Sequence, residues 1–270
     1  YWDSFWLPGE PAELAADTPA FADAAGRMLA PLELGPPVAS KNGETARRET
    51  RQPIIDTSSP VASTATASAM KDRAYAIVYE YNVWGSDVSR SGTGSDFWSP
   101  EARLAVTALS AVVDRLGLCS VLDCACGDGT WMVPFFVANR PEIKYCGVDI
   151  VPEVIEQNRQ NHPSLEFFCV DVAVAPVPVQ MDLVFSKETL NHMSLDDACN
   201  ALESFRDSGA KYLLTNVHEG AVNEDGQVKN CFTTYVKYDY SLPPFNLRKI
   251  WSVIEYQGWN TSYTVFDLQG

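Results

Sequence analysis

The sequence predicts an α/β fold: a mostly parallel sheet with helices on both faces, closed by an antiparallel hairpin at its C-terminal edge. Two observations predict it. Short, near-continuous apolar runs at 120–126, 145–150, 167–172, 181–186 and 212–217 alternate with helical stretches. Strands covered on both faces lose the in-out alternation and read this way, as parallel strands between helix layers do. Two later runs, 250–256 and 263–268, flank a turn around Gly258 and Asn260 and read as a hairpin.

The elements follow in order. Residues 1–70 form an extension ahead of a domain at 71–270. Within it, 11–32 is expected to hold one or two short helices. Ala, Pro, Ser and Thr dominate the end of 35–69, which reads as linker because it cannot bury enough surface to offset its ordering entropy. The opening YWDSFW is aromatic and reads either as packing on this domain or on a protein partner, or as a poorly ordered terminus. Helices are predicted at 71–81, 100–118, 151–161 and 194–208. Ser99 ahead of Pro100 and Glu101 is the N-cap of the second. Tyr235, Tyr238 and Tyr240 read as a strand with a packed face, or as the lining of an acceptor pocket.

Composition narrows the function. The 270 residues carry 35 Asp plus Glu against 20 Lys plus Arg, a formal charge of −15. That balance argues against sequence-independent nucleic-acid binding, which needs a basic footprint, and against docking on anionic membranes. The best candidate span, 104–118, is broken by Asp114 and Arg115 and falls short of the roughly 20 apolar residues a membrane helix needs. No stretch reads as a signal peptide, and the opening at Tyr1 reads as a processed or trimmed start. The seven cysteines, several inside apolar runs, read as free thiols of a reducing compartment, cytoplasm or organelle interior. Cys124 and Cys126 have no second pair at zinc spacing, so no metal site is expected.

In open α/β sheets ligands bind outside the carboxyl ends of the strands, near the switch in strand order. The first strand ends in Asp123-Cys-Ala-Cys-Gly-Asp-Gly129, the second at Asp149, the third at Asp171 and the fourth at Ser186, Lys187 and Glu188. Gly127 and Gly129 permit a tight turn and a close backbone approach. Asp149 suits a ribose diol, and Asp171 an exocyclic adenine amine. The pattern is not G-x-G-x-x-G, no G-K-[ST] follows, and the surrounding carboxylates would repel a pyrophosphate, which disfavours a nicotinamide-dependent oxidoreductase. A cationic nucleoside without phosphates, such as S-adenosylmethionine, fits.

The segment VLDCACGDGTWM resembles the first motif of class I S-adenosylmethionine-dependent methyltransferases, with Ala125 in place of one glycine. The 26 residues from Asp123 to Asp149 fit that family. YNVWGSDVSRSGTGS, YCGVDIVPEVIEQNR, SKETLNHMS, SGAKYLLTN and LPPFNL resemble, in order, a group of small bacterial-type members, from about Asp72 to the C-terminus. The resemblance implies a Rossmann-like, seven-stranded fold and S-adenosylmethionine as cofactor. It places Asp123, Ala125, Gly127 and Gly129 under the methionine part, and Asp149 with Ile150 at the ribose. Asp171 and the backbone of Val172 would face the adenine, and Ser186 and Lys187 the methyl-donor end. The 84–95 segment would be a lid, with Trp84, Ser91 and Ser95 near the cofactor. Where relatives carry Arg-Asp after the fourth strand, this chain has Lys187-Glu188.

His192, just past the fourth strand, is the first candidate for a general base, with Glu188 as a proton acceptor or amine holder and His218 as a weaker candidate. Trp131 is expected to pack. The expected function is methyl transfer to a small molecule, sugar or protein side chain. The competing expectation is a catalytically silent subunit of a larger complex, held through the N-terminal extension.

Overall fold

The carboxyl end of the central strand, β1, lies where the sheet changes direction. The computed structural model describes residues 60–224, 235–256 and 261–270. The readings for 1–59, for Cys231 and for the hairpin turn fall outside them. The seven strands are β1 (Ser120–Cys124), β2 (Lys144–Asp149), β3 (Glu166–Cys169), β4 (Leu183–Ser186), β5 (Tyr212–Val217), β6 (Arg248–Tyr256) and β7 (Thr261–Asp267). Their order is β3-β2-β1-β4-β5-β7-β6. β1 pairs in parallel with β2 on one side and β4 on the other. The chain winds outward to β3, then returns across β1 to β4. This reversal is the switch point at which open α/β sheets bind ligands.

The inner strands β1, β2, β4 and β5 are buried on both faces, which is why they read as apolar runs. Leu122, Cys124, Cys146, Val148, Val184 and Leu213 share a core cluster with Ala198, Ala201, Leu202 and Phe205. The last four project from helix α5 (Leu195–Asp207). Helix α2 (Pro100–Leu116) starts as expected: Ser99 accepts the Ala102 N–H, and Pro100 stands in the first turn. It ends at Gly117, whose φ is +62°. Helix α3 is the short turn Met132–Phe135, and α4 is Pro152–Asn161. β7 pairs antiparallel with both β5 and β6, so the hairpin closes the sheet as predicted.

Two elements differ from the sequence reading. Helix α1 runs from Pro60 to Tyr81, so 60–69 is helix and not linker. One reason is tertiary: Ser68 Oγ donates to Asp171 Oδ2 at 2.8 Å, anchoring that turn to the β3 end. The segment 235–239 is not a strand. Tyr238 and Tyr240 are fully buried in the main core, whereas Tyr235 is 38 % exposed and faces the cleft.

Candidate functional site

The site is built outward from the end of β1. Asp123 is buried, and the Tyr145 hydroxyl donates to its Oδ2 at 2.9 Å. Burial pushes its pKa up to about 8, the Tyr145 hydrogen bond and Lys187 offsetting part of the rise. The chain then turns through a cis Cys124–Ala125 peptide. Ala125 N–H donates to Thr189 Oγ1 at 2.9 Å, and Gly127 N–H to Asp149 Oδ2 at 3.1 Å. Asn158 Nδ2 donates to the Gly127 carbonyl at 2.7 Å. Gly127 has φ +56°, and a Cβ there would lie 2.2 Å from Ser91 Oγ. Only glycine relieves both constraints.

Asp149, 4 % exposed, also accepts the Val151 N–H at 3.1 Å. Burial pushes its pKa up to about 6, against the pull of backbone hydrogen bonds from Val151, Gly127 and Ile150. Asp171 caps the turn after β3, its Oδ1 accepting from Ala173 N–H at 3.0 Å, while Oδ2 takes Ser68. The 84–95 segment lies over this floor and is tied to it through Asp128. Ser89 Oγ and Arg90 N–H donate to the Asp128 carboxyl at 3.0 and 2.7 Å, and Asp128 N–H donates to Ser91 Oγ at 3.2 Å. Asp96 in turn accepts from Ser86 Oγ and from Ser89 N–H, holding the segment closed on itself.

Beyond β4 and β5 the wall changes character. Desolvation in the cleft lowers the pKa of Lys187, with Glu188, Glu101 and Asp123 pulling the other way. Glu188 has φ +55°, a conformation most side chains avoid. Its N–H donates to Asn216 Oδ1 at 2.7 Å. His192 closes the 3-10 turn Leu190–His192. Its ring lies 5.8 Å from Trp84 and 5.5 Å from Tyr235. His218 Nε2 lies 2.9 Å from the Tyr235 hydroxyl, which also accepts from Asn216 Nδ2 at 3.4 Å.

These residues line one cavity of about 980 Å³. That is the upper end of the range for small-molecule sites. Trp84, Ser91, Ser95, Asp123, Ala125 and Gly127 reach it, as do Asp149, Ile150, Asp171 and Val172. Lys187, Glu188, His192 and His218 form the far wall. Two predicted residues are not among the lining residues. Gly129 backs onto Val133 and Asn158, and so shapes the turn from behind. Ser186 sits within β4 and is fully buried in the sheet, its carbonyl accepting from Thr215 Oγ1. Trp131 packs on Phe185 as expected, and also reaches the cavity.

Sequence reasoning did not find Asp128 as the lid anchor, Thr189 under Ala125, or Tyr75 and Tyr79 from α1. Only Asp128, between two glycines, carried a readable signal. Among the described residues no group of three or more His, Cys, Asp and Glu side chains is placed to hold a metal ion. Nor is any helix among them long and apolar enough to cross a membrane.

The cavity fits S-adenosylmethionine. Gly127 leaves the backbone open, and the buried carboxyl of Asp149 stands at the end of β2.

A parallel sheet with this reversal, an antiparallel C-terminal pair and a cavity over the glycine turn define a Rossmann-like methyltransferase fold. Residues 121–208 match the family model described as a methyltransferase domain. Over these residues, about a third of its length, the chain is similar to methyltransferase domains. Over 105 residues it is 29 % identical to malonyl-[acyl-carrier protein] O-methyltransferase from Acetivibrio thermocellus, covering 37 % of each chain. The match thus spans little more than a third of that relative. Among solved structures, the N-methyltransferase NodS from Bradyrhizobium japonicum, in complex with S-adenosyl-L-homocysteine, aligns with a TM-score of 0.51 at 13 % identity, covering 71 % of this chain and 97 % of NodS. Magnesium protoporphyrin IX methyltransferase from Synechocystis, also with S-adenosylhomocysteine, aligns at 0.49 and 12 % identity, covering 76 % and 99 %.

Proposed function

We propose that the chain binds S-adenosylmethionine and transfers its methyl group to a small-molecule, sugar or protein acceptor. One observation carries the proposal: a single cavity joins the Gly127–Asp149 floor to a second lobe holding His192, Glu188 and Tyr235. The bound cofactor supplies an electrophilic methyl on a sulfonium.

The rest falls to the protein. Asp149 accepts from ribose hydroxyls with Ile150 beside it, and Asp171 with Val172 faces the adenine. Asp123, Ala125 and Gly127 lie under the methionine part. Trp84 and Ser95 close over it from the lid, and Lys187 stands at the methyl-donor end. Transfer needs the acceptor atom in line with the sulfonium, and two walls of one cavity provide that positioning. His192 and Glu188 are the groups placed to take a proton from the acceptor. Calorimetric titration with S-adenosylmethionine and S-adenosylhomocysteine tests the cofactor half. Transfer of labelled methyl in an acceptor screen tests the other. A protein that binds the cofactor and labels no acceptor of any class contradicts turnover.

A further inference from the structure

The acceptor lobe has its own chemistry. Its wall is a row of rings: Trp84 to His192 at 5.8 Å, His192 to Tyr235 at 5.5 Å, Tyr235 to His218 at 5.5 Å. One carboxyl, Glu188, lines the cavity at this row and acts electrostatically on the Tyr235 hydroxyl. The Tyr235 oxygen lies 2.9 Å from His218 Nε2 and accepts from Asn216 Nδ2 at 3.4 Å.

Glu188 does not reach this place by chance of rotamer. Its φ of +55° is held by a buried asparagine pair. Asn216 Oδ1 accepts the Glu188 N–H at 2.7 Å, and Asn216 Nδ2 donates to Asn191 Oδ1 at 2.8 Å. Asn191 Nδ2 donates to the Val236 carbonyl at 2.7 Å, and Val236 N–H returns to the Asn191 carbonyl at 2.7 Å. The pair therefore fixes Glu188 and Tyr235 relative to each other. Backbone strain held this firmly marks a position whose geometry is used.

Charge sets the sign of the ligand. The cavity's acids are Glu101, Asp123, Asp149, Asp171, Glu188 and Asp197, and its bases are Lys71, Lys187 and Lys237. Lys71 and Asp197 pair at 2.6 Å and cancel. Asp123, with its pKa at about 8, is mostly neutral at pH 7. Four carboxylates then face two lysines. A sulfonium with a zwitterionic amino-acid end contributes one positive charge, which leaves the cavity as a whole negative.

We infer that the acceptor is a protonated amine, held by the Glu188 carboxylate against the Trp84–His192–Tyr235 ring wall. This rests on the cofactor assignment above. Cations favour aromatic faces and a carboxylate together, and an anionic acceptor would meet repulsion. The ammonium passes a proton to the His192 imidazole. The freed nitrogen lone pair forms the N–CH3 bond as the S–CH3 bond breaks. Its electron pair returns to sulfur as a neutral thioether, and the product leaves as an N-methylammonium. Asn216 is a positioning residue, acting through Glu188.

The test uses three probes of one shape: phenethylamine, 2-phenylethanol and 3-phenylpropionate. Their binding to the S-adenosylhomocysteine-loaded protein, and to the protein alone, is followed by ligand-observed NMR near 0.15 M salt, where long-range attraction to the acidic surface is screened. The amine is expected to bind about tenfold more tightly than the alcohol, and the carboxylate most weakly. Glu188→Gln should bring the amine to the alcohol's level while S-adenosylhomocysteine still binds. If that variant loses S-adenosylhomocysteine, Tyr235→Phe keeps the ring and should still weaken the amine preference. Equal binding of amine and alcohol, or a preference that survives both variants, overturns the inference. Amine preference in a protein that binds no S-adenosylhomocysteine overturns the cofactor assignment and leaves the amine site standing.

Discussion

Gly127 and Asp149 carry the cofactor argument between them. A Cβ on Gly127 would sit 2.2 Å from Ser91 Oγ at a φ of +56°. Gly127→Ala should therefore cost about 1–2 kcal/mol of stability from backbone strain alone, seen as a lowered thermal midpoint. It should also weaken S-adenosylmethionine binding, because the lid must lift with Ser91. Asp149 gives a pH signature. Its pKa is pushed from 3.8 to about 6 by burial. In the proposed role, ribose hydroxyls would donate to the charged carboxylate, so affinity should rise with pH through about 6 and flatten above it. The sign for the free protein is opposite. A raised folded-state pKa means the folded state holds the proton longer, so this group's contribution to stability falls as pH rises from about 4 to about 6. Affinity flat from pH 5 to 7 in calorimetry would contradict Asp149 as the hydroxyl acceptor. These residues were legible because glycine and aspartate have narrow uses at strand ends. Ser186 misled because its place at the end of β4 said nothing of which way its hydroxyl faces.

Lid and glycine turn act as one element. Asp128 accepts from Ser89 Oγ and Arg90 N–H, and its own N–H donates to Ser91 Oγ. Asp128→Ala removes two acceptor contacts to the 84–95 segment at a part-buried junction, each worth about 1 kcal/mol or somewhat more for a charged acceptor. Amide exchange across 84–95 should speed up in this variant while exchange in β1 and β4 stays slow. Unchanged exchange in the lid would show that the segment is held by something else. Four of the parallel strands, β1, β2, β4 and β5, were visible in sequence because burial on both faces leaves a continuous apolar run. The beginning of α1 was not. Its Ala, Ser and Thr residues give no apolar face, and the contact that anchors it, Ser68 to Asp171, spans 103 positions. The 235–240 segment was misread as strand for a similar reason. Backbone bonds from Val236 to Asn191 and from His218 to Tyr238 hold it, and each pairs residues far apart in sequence.

At the scale of the whole molecule, strand order places every strand-end acid at one edge. The return of the chain from β3 across β1 to β4 splits that edge into two lobes. One lobe has glycine, aspartate and lid; the other has rings, Glu188 and the asparagine pair. The first was legible because its motif is local. The second was only half legible: Glu188 and His192 stand near a strand end, but Tyr235 joins them through tertiary contacts alone. Isothermal titration calorimetry with S-adenosylmethionine and S-adenosylhomocysteine, on the natural sequence and on Asp149→Ala, tests the central claim most directly. Micromolar binding of both by the natural sequence, lost in Asp149→Ala, is the predicted result. No binding by the natural sequence, or equal binding by the variant, would contradict it.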